Sequence, residues 1–318
     1  MTLQNSGSAA RRCVLGAVAA FALATLAFPT SLTAQDFSLG LRPQPFFPGN
    51  LVVSRSVYDN RTSNVTVGQA LPPNCPQASG GCVTATNNGV YPYVFNNDLV
   101  DGSFGITSRI YLDQMTPWGW PVSTLEVPNS RQWGVGPSRN QLVTSFSSKS
   151  ELALNLSTDH RNLTVMGYVA PVNQVDVSNS NTPGIVDPTN PAGDSYYRAV
   201  ARVDQRGRFT FSETRSYSGN NGRAAILSNS SGNDLYFAAG NAGNGGNPEP
   251  DNVILGAGAQ LIQPTDAPES VQNAPLPPLP VGGFSVAELG DKPDKKVGKD
   301  TNFRSIAIFN NVLYYTKG

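Results

Sequence analysis

The sequence predicts an all-β fold built from repeated antiparallel hairpins. Three observations carry that reading. Short segments alternate apolar with polar residues and are rich in Val, Ile, Tyr and Phe, with Asn, Gly, Pro and Ser between them. Gly (31) and Pro (25) are abundant and charged residues are only 14% of the chain, a turn-rich composition unlike that of a helical bundle. A strand–turn–strand unit also recurs, with second strands that begin at Leu163, Leu235 and Leu313 and run to Gly167, Gly240 and Gly318.

In chain order, the first residues read as an export signal. Arg11 and Arg12 precede an Ala-rich apolar run that is short for a membrane span, and Leu32-Thr33-Ala34 supplies a small residue before a cut. The expected mature chain is therefore 35–318, exported to the periplasm or beyond, without a transmembrane anchor. The Arg pair leaves the general secretory and twin-arginine routes both open. Cys13 goes with the signal. Cys75 and Cys82 remain, close together across a flexible spacer, and an oxidising compartment favours a disulfide between them. A loop that small clips the surface and does not hold the fold together.

The first strand is expected within Gly49-Asn-Leu-Val-Val-Ser-Arg-Ser-Val-Tyr-Asp59. A hairpin follows, Ser108–Gln114 returning through Val122–Val127 across Thr116-Pro-Trp-Gly119. A matching hairpin runs from Arg198 to Gln205 and returns from Arg208 to Glu213. Both place Asp-Gln before the turn (Asp113-Gln114, Asp204-Gln205), where Asp accepts backbone N–H groups two residues on. The later units are stretched by insertions at 173–194, 241–251 and 267–280, and 60–106 is a long insertion in the first.

Repeated hairpins with long loops and no helix beyond the signal suggest a β-propeller-like protein. About three and a half blades are counted: 49–127, 151–213, 221–289 and a beginning at Thr301. Propellers close with roughly four to eight blades, so the expectation is an incomplete propeller, C-terminally truncated or a gene fragment. Ser157-Thr-Asp159 before Leu163-Thr-Val165 resembles the strand pair of many bacterial propeller repeats. At larger scale the chain resembles uncharacterised secreted bacterial and fungal propeller-like proteins. The resemblance rests on Pro48-Gly-Asn-Leu-Val-Val-Ser54, Leu142-Val-Thr-Ser-Phe-Ser-Ser-Lys-Ser-Glu-Leu152, Ser218-Gly-Asn-Asn-Gly-Arg223 and Asp300-Thr-Asn-Phe-Arg304. It implies the fold and no activity.

Lys+Arg and Asp+Glu are both 22, so no electrostatic argument favours nucleic acid or an anionic membrane. His160 is the single histidine, which excludes a multi-His metal site; it reads as a general base or as a turn residue that tolerates a left-handed backbone. The Gly-rich run 240–247 lacks the Gly-Lys-Ser/Thr ending of a phosphate loop. Loop carboxylates leave Ca²⁺ open as a cofactor, with Asn97, Asp98 and Asp101 as its candidate ligands.

Arg223 and Arg304 each precede an inner-type strand. They either ring a channel with positive charge or bond carbonyls of the neighbouring unit. Trp118, Trp120 and Trp133 are either a carbohydrate platform or packing between units. Two functions follow. One is a secreted binding or scaffold protein for a small molecule, glycan or protein. The other is a metal-assisted hydrolase of lactones, esters or phosphoesters. A third reading is a non-functional fragment.

Overall fold

The alternation that marks strands in the sequence becomes two-faced sheets in the structure. The computed structural model describes residues 45–57, 61–71, 83–85, 105–127, 141–146, 152–187, 193–242, 257–268, 282–284 and 302–317. These lie in one unit, Gly40–Gly318. Its strands are β1 (Leu51–Val57), β2 (Ala70–Leu71), β3 (Val83–Thr84), β4 (Ile106–Met115), β5 (Pro121–Val127), β6 (Gln141–Phe146), β7 (Asn155–Leu156) and β8 (Asn162–Ala170). They continue as β9 (Tyr197–Asp204), β10 (Phe209–Thr214), β11 (Gly222–Ser228), β12 (Leu235–Gly240), β13 (Ala259–Ile262), β14 (Gly282–Phe284), β15 (Phe303–Phe309) and β16 (Val312–Lys317). Strand pairing is antiparallel throughout these elements. Helical structure among the described residues is limited to short 3-10 turns at Thr62–Asn64 and Val177–Asn179.

The sheets stack as four layers in chain order. The first two are halves of one eight-stranded sheet joined through β6, with β1, β4 and β5 facing β7 to β10 across a shared core. The third holds β11 to β14, and the fourth is the hairpin β15–β16. Ile110, Leu112, Leu125 and Val127 of the first layer share a core with Val165, Ala201, Val203 and Phe211 of the second. On the second layer's other face, Met166 and Val200 meet Ala225, Leu227, Tyr236 and Ala238 of the third. Beyond that, Ala224, Ile226 and Ala239 meet Phe303 and Ile306, with Ile308, Leu313 and Tyr315 packed alongside. A sheet buried on both faces needs apolar residues at successive positions, and Ala224-Ala-Ile-Leu227 is such a run.

Two of these expectations are corrected, the separateness of the first two units and the alignment of the repeat. The first two hairpin units are not separate blades: β6 pairs with β4 on one side and β8 on the other, merging them into one eight-stranded sheet. Among the described residues no sheet closes on itself. The repeat alignment slips by one residue in its third layer. Leu163 and Leu313 face the preceding layer, but that place is taken by Tyr236, and Leu235 lies one position away on the alternating strand. A one-residue shift in a strand exchanges faces, so matching Leu to Leu selects the wrong side.

The insertion 173–194 is also not a loose loop where it is described. Asp176, Ser178, Ser180, Asn181, Thr182 and Asp187 are all buried. Ser178 and Ser180 are drawn onto Arg198, which is fully buried and donates to their carbonyls (2.9 and 2.7 Å) and to that of Asn220 (2.9 Å). Its guanidinium also lies 5.4 Å from the centre of the Tyr168 ring. A fixed planar fork of donors satisfies several inward-facing carbonyls at once, as buried backbone requires.

Candidate functional site

Arg223 and Arg304 occupy equivalent places. The register of β11 against β12 skips between Gly222 and Ala224, and that of β15 against β16 skips between Phe303 and Ser305. Each Arg is therefore the extra residue of a β-bulge at the start of its hairpin, a device that re-aims a side chain. Arg223 is buried and reaches into the fourth layer, donating from Nη1 to the Asn302 side-chain oxygen and to the Phe303 carbonyl (2.9 Å). That is an inter-layer tie of the carbonyl-bonding kind. Arg304 is half-buried.

The turn 157–162 shows why His160 stands where it does. Ser157 N–H donates to the Asn162 carbonyl (2.8 Å), and the Ser157 hydroxyl donates to Asp159 (2.5 Å). Arg161 N–H also donates to Asp159 (3.1 Å). Partial burial pushes the Asp159 carboxyl up, but hydrogen bonds led by Ser157 outweigh it and hold the group below its ordinary value. His160 takes φ 60 at the tip, the left-handed backbone expected for it, and its side chain is exposed.

That tip forms one rim of a groove of about 450 Å³ between the first two layers. The opposite wall is the segment leading into β1, held by the glutamines of the two Asp-Gln doublets. Gln114 Oε1 accepts from Phe47 N–H (2.7 Å) and Asn50 Nδ2 (2.8 Å), while Gln114 Nε2 donates to the Pro45 carbonyl (3.1 Å). Phe46 N–H donates to the Gln205 carbonyl (2.8 Å). Phe46, Leu51, Leu154, Leu156, Leu163 and Val203 supply an apolar lining, and His160, Arg161 and Asp204 supply charge or polarity. A mostly apolar cleft with a few convergent polar groups is the usual form of a small-molecule site.

The polar groups of this groove are not equally engaged. The Asp204 carboxylate accepts from Arg206 N–H (2.8 Å), Arg208 N–H (2.9 Å) and Arg208 Nε (3.0 Å), so its charge serves its own turn as the sequence predicts. Asp113 does not follow the same rule. The strand continues past it to Met115, and its carboxylate pairs with Arg55 Nε (2.6 Å) and the Thr124 hydroxyl (2.7 Å) across the sheet. The Arg55 bond is the largest influence holding the Asp113 carboxyl below its ordinary value. Within the groove, the Arg161 guanidinium and the His160 ring make no hydrogen bond with other described residues. Arg161 and the Phe46 segment did not stand out in the sequence. The paired Asp-Gln doublets were the available signal, and their glutamines rather than their aspartates build the wall.

Trp118 and Trp120 are 83% and 72% exposed at the tip of β4–β5, so they do not pack between layers. The turn that carries them is closed by Thr116 N–H to the Trp120 carbonyl (2.8 Å), with Gly119 at φ 87. Trp133, Cys75, Cys82, Asn97, Asp98 and Asp101 lie outside the described residues. So does the export signal 1–34. Among the described residues, no three His, Cys, Asp or Glu side chains group as metal ligands, and no helix is long and apolar enough to cross a membrane. No family model, curated protein or solved structure matches this chain.

Proposed function

We propose that this chain is an exported binding protein of propeller type whose groove beside His160 takes a small amphipathic molecule bearing an anionic group. In this reading the eight-stranded sheet and the two sheets stacked beyond it form an arc of a propeller, the leader 1–34 is removed on export, and Cys75 and Cys82 form a surface disulfide. The observation that carries the ligand class is the groove's asymmetry. Its lining is apolar, its carboxylate Asp204 is hydrogen-bonded within its own turn, and its guanidinium Arg161, which feels the charge of Asp159, makes no hydrogen bond to another described residue. An apolar body fits the lining, and a carboxylate or similar group fits the Arg161 fork.

The test is calorimetric titration of the mature chain with decanoate, decanol and glucose. Decanoate is expected to bind, decanol more weakly and glucose not at all. Arg161→Ala should weaken decanoate by roughly tenfold, the ~1.4 kcal/mol scale of one charge-assisted bond, and leave decanol unchanged. Leu163→Asp should weaken both. No saturable binding of either amphiphile, or decanoate binding indifferent to both substitutions, overturns the proposal.

A further inference from the structure

We propose that this chain assembles head to tail with a second copy of itself through the two outer faces of its layer stack. Each internal contact joins unlike faces. The face of one layer that looks down the chain meets the face of the next that looks back. Met166 and Val200 meet Leu227 and Tyr236 in this way, and Ile226 and Ala239 meet Ile306 and its neighbours. Among the described residues, two faces are left over by this rule. One is the forward face of β15–β16 and the other is the backward face of β1 and β4.

The forward face of β15–β16 is apolar and exposed. Phe309 opposes Val312, and Ala307 opposes Tyr314. Phe309 is 66% exposed, and Ala307, Val312 and Tyr314 are also in solvent. By the bulge register, Ala307 and Tyr314 correspond to Ile226 and Phe237, which in the third layer face the fourth. A β-sheet face therefore covers the equivalent surface one layer earlier. A backward face is therefore the matching cover, and a second copy offers one in β1, which no described layer covers.

On β1, Val52 turns inward to the first core while Leu51, Val53 and Val57 are exposed on the alternate side. The charges on that side are already compensated within the sheet. Arg55 pairs with Asp113 and stacks 4.9 Å from the Tyr111 ring centre, and Arg109 pairs with Glu126. Covering the face therefore strands no unpaired charge, which is the most costly case of burying an ion. Every copy carries both faces, so the contact is heterologous. It closes into a ring if the rotation allows and otherwise grows as a filament.

The experiment is sedimentation velocity on the mature chain over a concentration series, with Tyr314→Lys, Val53→Lys and their mixture. Both positions are exposed, and an unchanged thermal melt for each variant checks that the fold is kept. The wild type is expected to self-associate, and each variant alone should lose at least about tenfold in association, as expected for a charge placed against an apolar face. Mixed together, the variants should recover one contact per pair, because each retains the face the other lacks. A wild type monomeric at every concentration overturns the proposal. So does an assembly untouched by Tyr314→Lys, one that survives Val53→Lys (the hairpin pairing with its own copy), or a mixture that shows no recovery.

Discussion

Arg198→Met removes a guanidinium from a fully buried site while keeping most of the side chain's apolar volume. The bonds lost are those to the carbonyls of Ser178 (2.9 Å), Ser180 (2.7 Å), Asn220 (2.9 Å) and Tyr196 (3.0 Å). Charge-assisted bonds contribute about 1.5–3 kcal/mol singly, but bonds that share one donor group are not additive. Each buried carbonyl left without a donor costs about 1–3 kcal/mol, less than additively, and losing the contact with the Tyr168 ring adds roughly 1 kcal/mol. We expect about 4 kcal/mol, a large part of the ~5–15 kcal/mol that holds a domain folded. Arg198→Lys keeps the charge but offers a compact ammonium in place of a planar fork, and should recover less than half of the loss. Urea unfolding followed by far-ultraviolet circular dichroism measures both. Limited proteolysis should report early cleavage within 174–187 in the Met variant. A Met variant within about 1 kcal/mol of wild type, or a Lys variant equal to wild type, would refute the argument that the inserted loop is organised by this side chain.

Gly240→Ala should destabilise more than Gly222→Ala, by at least about 1 kcal/mol in urea unfolding, because of what each new methyl meets. At 240 it lies 2.5 Å from the Asn221 carbonyl and 2.7 Å from the Tyr217 ring, whereas at 222 it first meets the flexible end of Met166 at 2.6 Å. Burial holds the Asp176 carboxyl well above its ordinary value, against the pull of the Asn179 side chain. A raised folded value means that its stability contribution is complete below about pH 4 and declines as pH rises toward that value. Asp176→Asn should therefore match wild type in acid and exceed it at neutral pH in melting temperature; equal melts at pH 7 would count against this. Trp118→Ser with Trp120→Ser should shift unfolding by less than about 0.5 kcal/mol, as expected for exposed side chains, and a larger loss would restore a packing role. Asp113→Asn, losing an ion pair that is partly in solvent, should cost less than about 1 kcal/mol after screening, checked by its dependence on added salt.

The hairpins were legible because a half-buried strand writes its period of two into the sequence. Ile110, Leu112, Leu125 and Val127 alternate with polar neighbours and are buried as that pattern requires. The third layer was harder to read. It is buried on both faces, so Leu235, Tyr236 and Phe237 are apolar in succession and carry no mark of which side is which. The merging strand β6 was quoted only for its resemblance, since a single short run does not reveal its partners. Of the site, the turn chemistry of Asp204 and the left-handed His160 followed from local rules. The groove did not, because it depends on 45–50 lying across strands more than a hundred residues away, held by the Gln114 side chain and the Gln205 carbonyl. Arg223 and Arg304 were correctly paired by sequence position, and what the sequence lacked was the acceptor. Asn302 and the Phe303 carbonyl become neighbours of Arg223 only when two hairpins stack.

The serial stacking of layers has a consequence for how the molecule comes apart. Among the described residues, the sheets beyond the eight-stranded one meet their neighbours through apolar faces, so their stability is set by near neighbours, as in a linear array. The third layer is clamped on both sides, whereas β15–β16 is clamped on one. Amide exchange should therefore grade along the chain, fastest in the last hairpin and slowest in β8, β9 and β11. Opening of the last hairpin bares Ala224, Ile226 and Ala239, a surface equivalent in kind to the one just lost. The isolated molecule would thus fray by whole layers, presenting after each step a fresh apolar edge for capture.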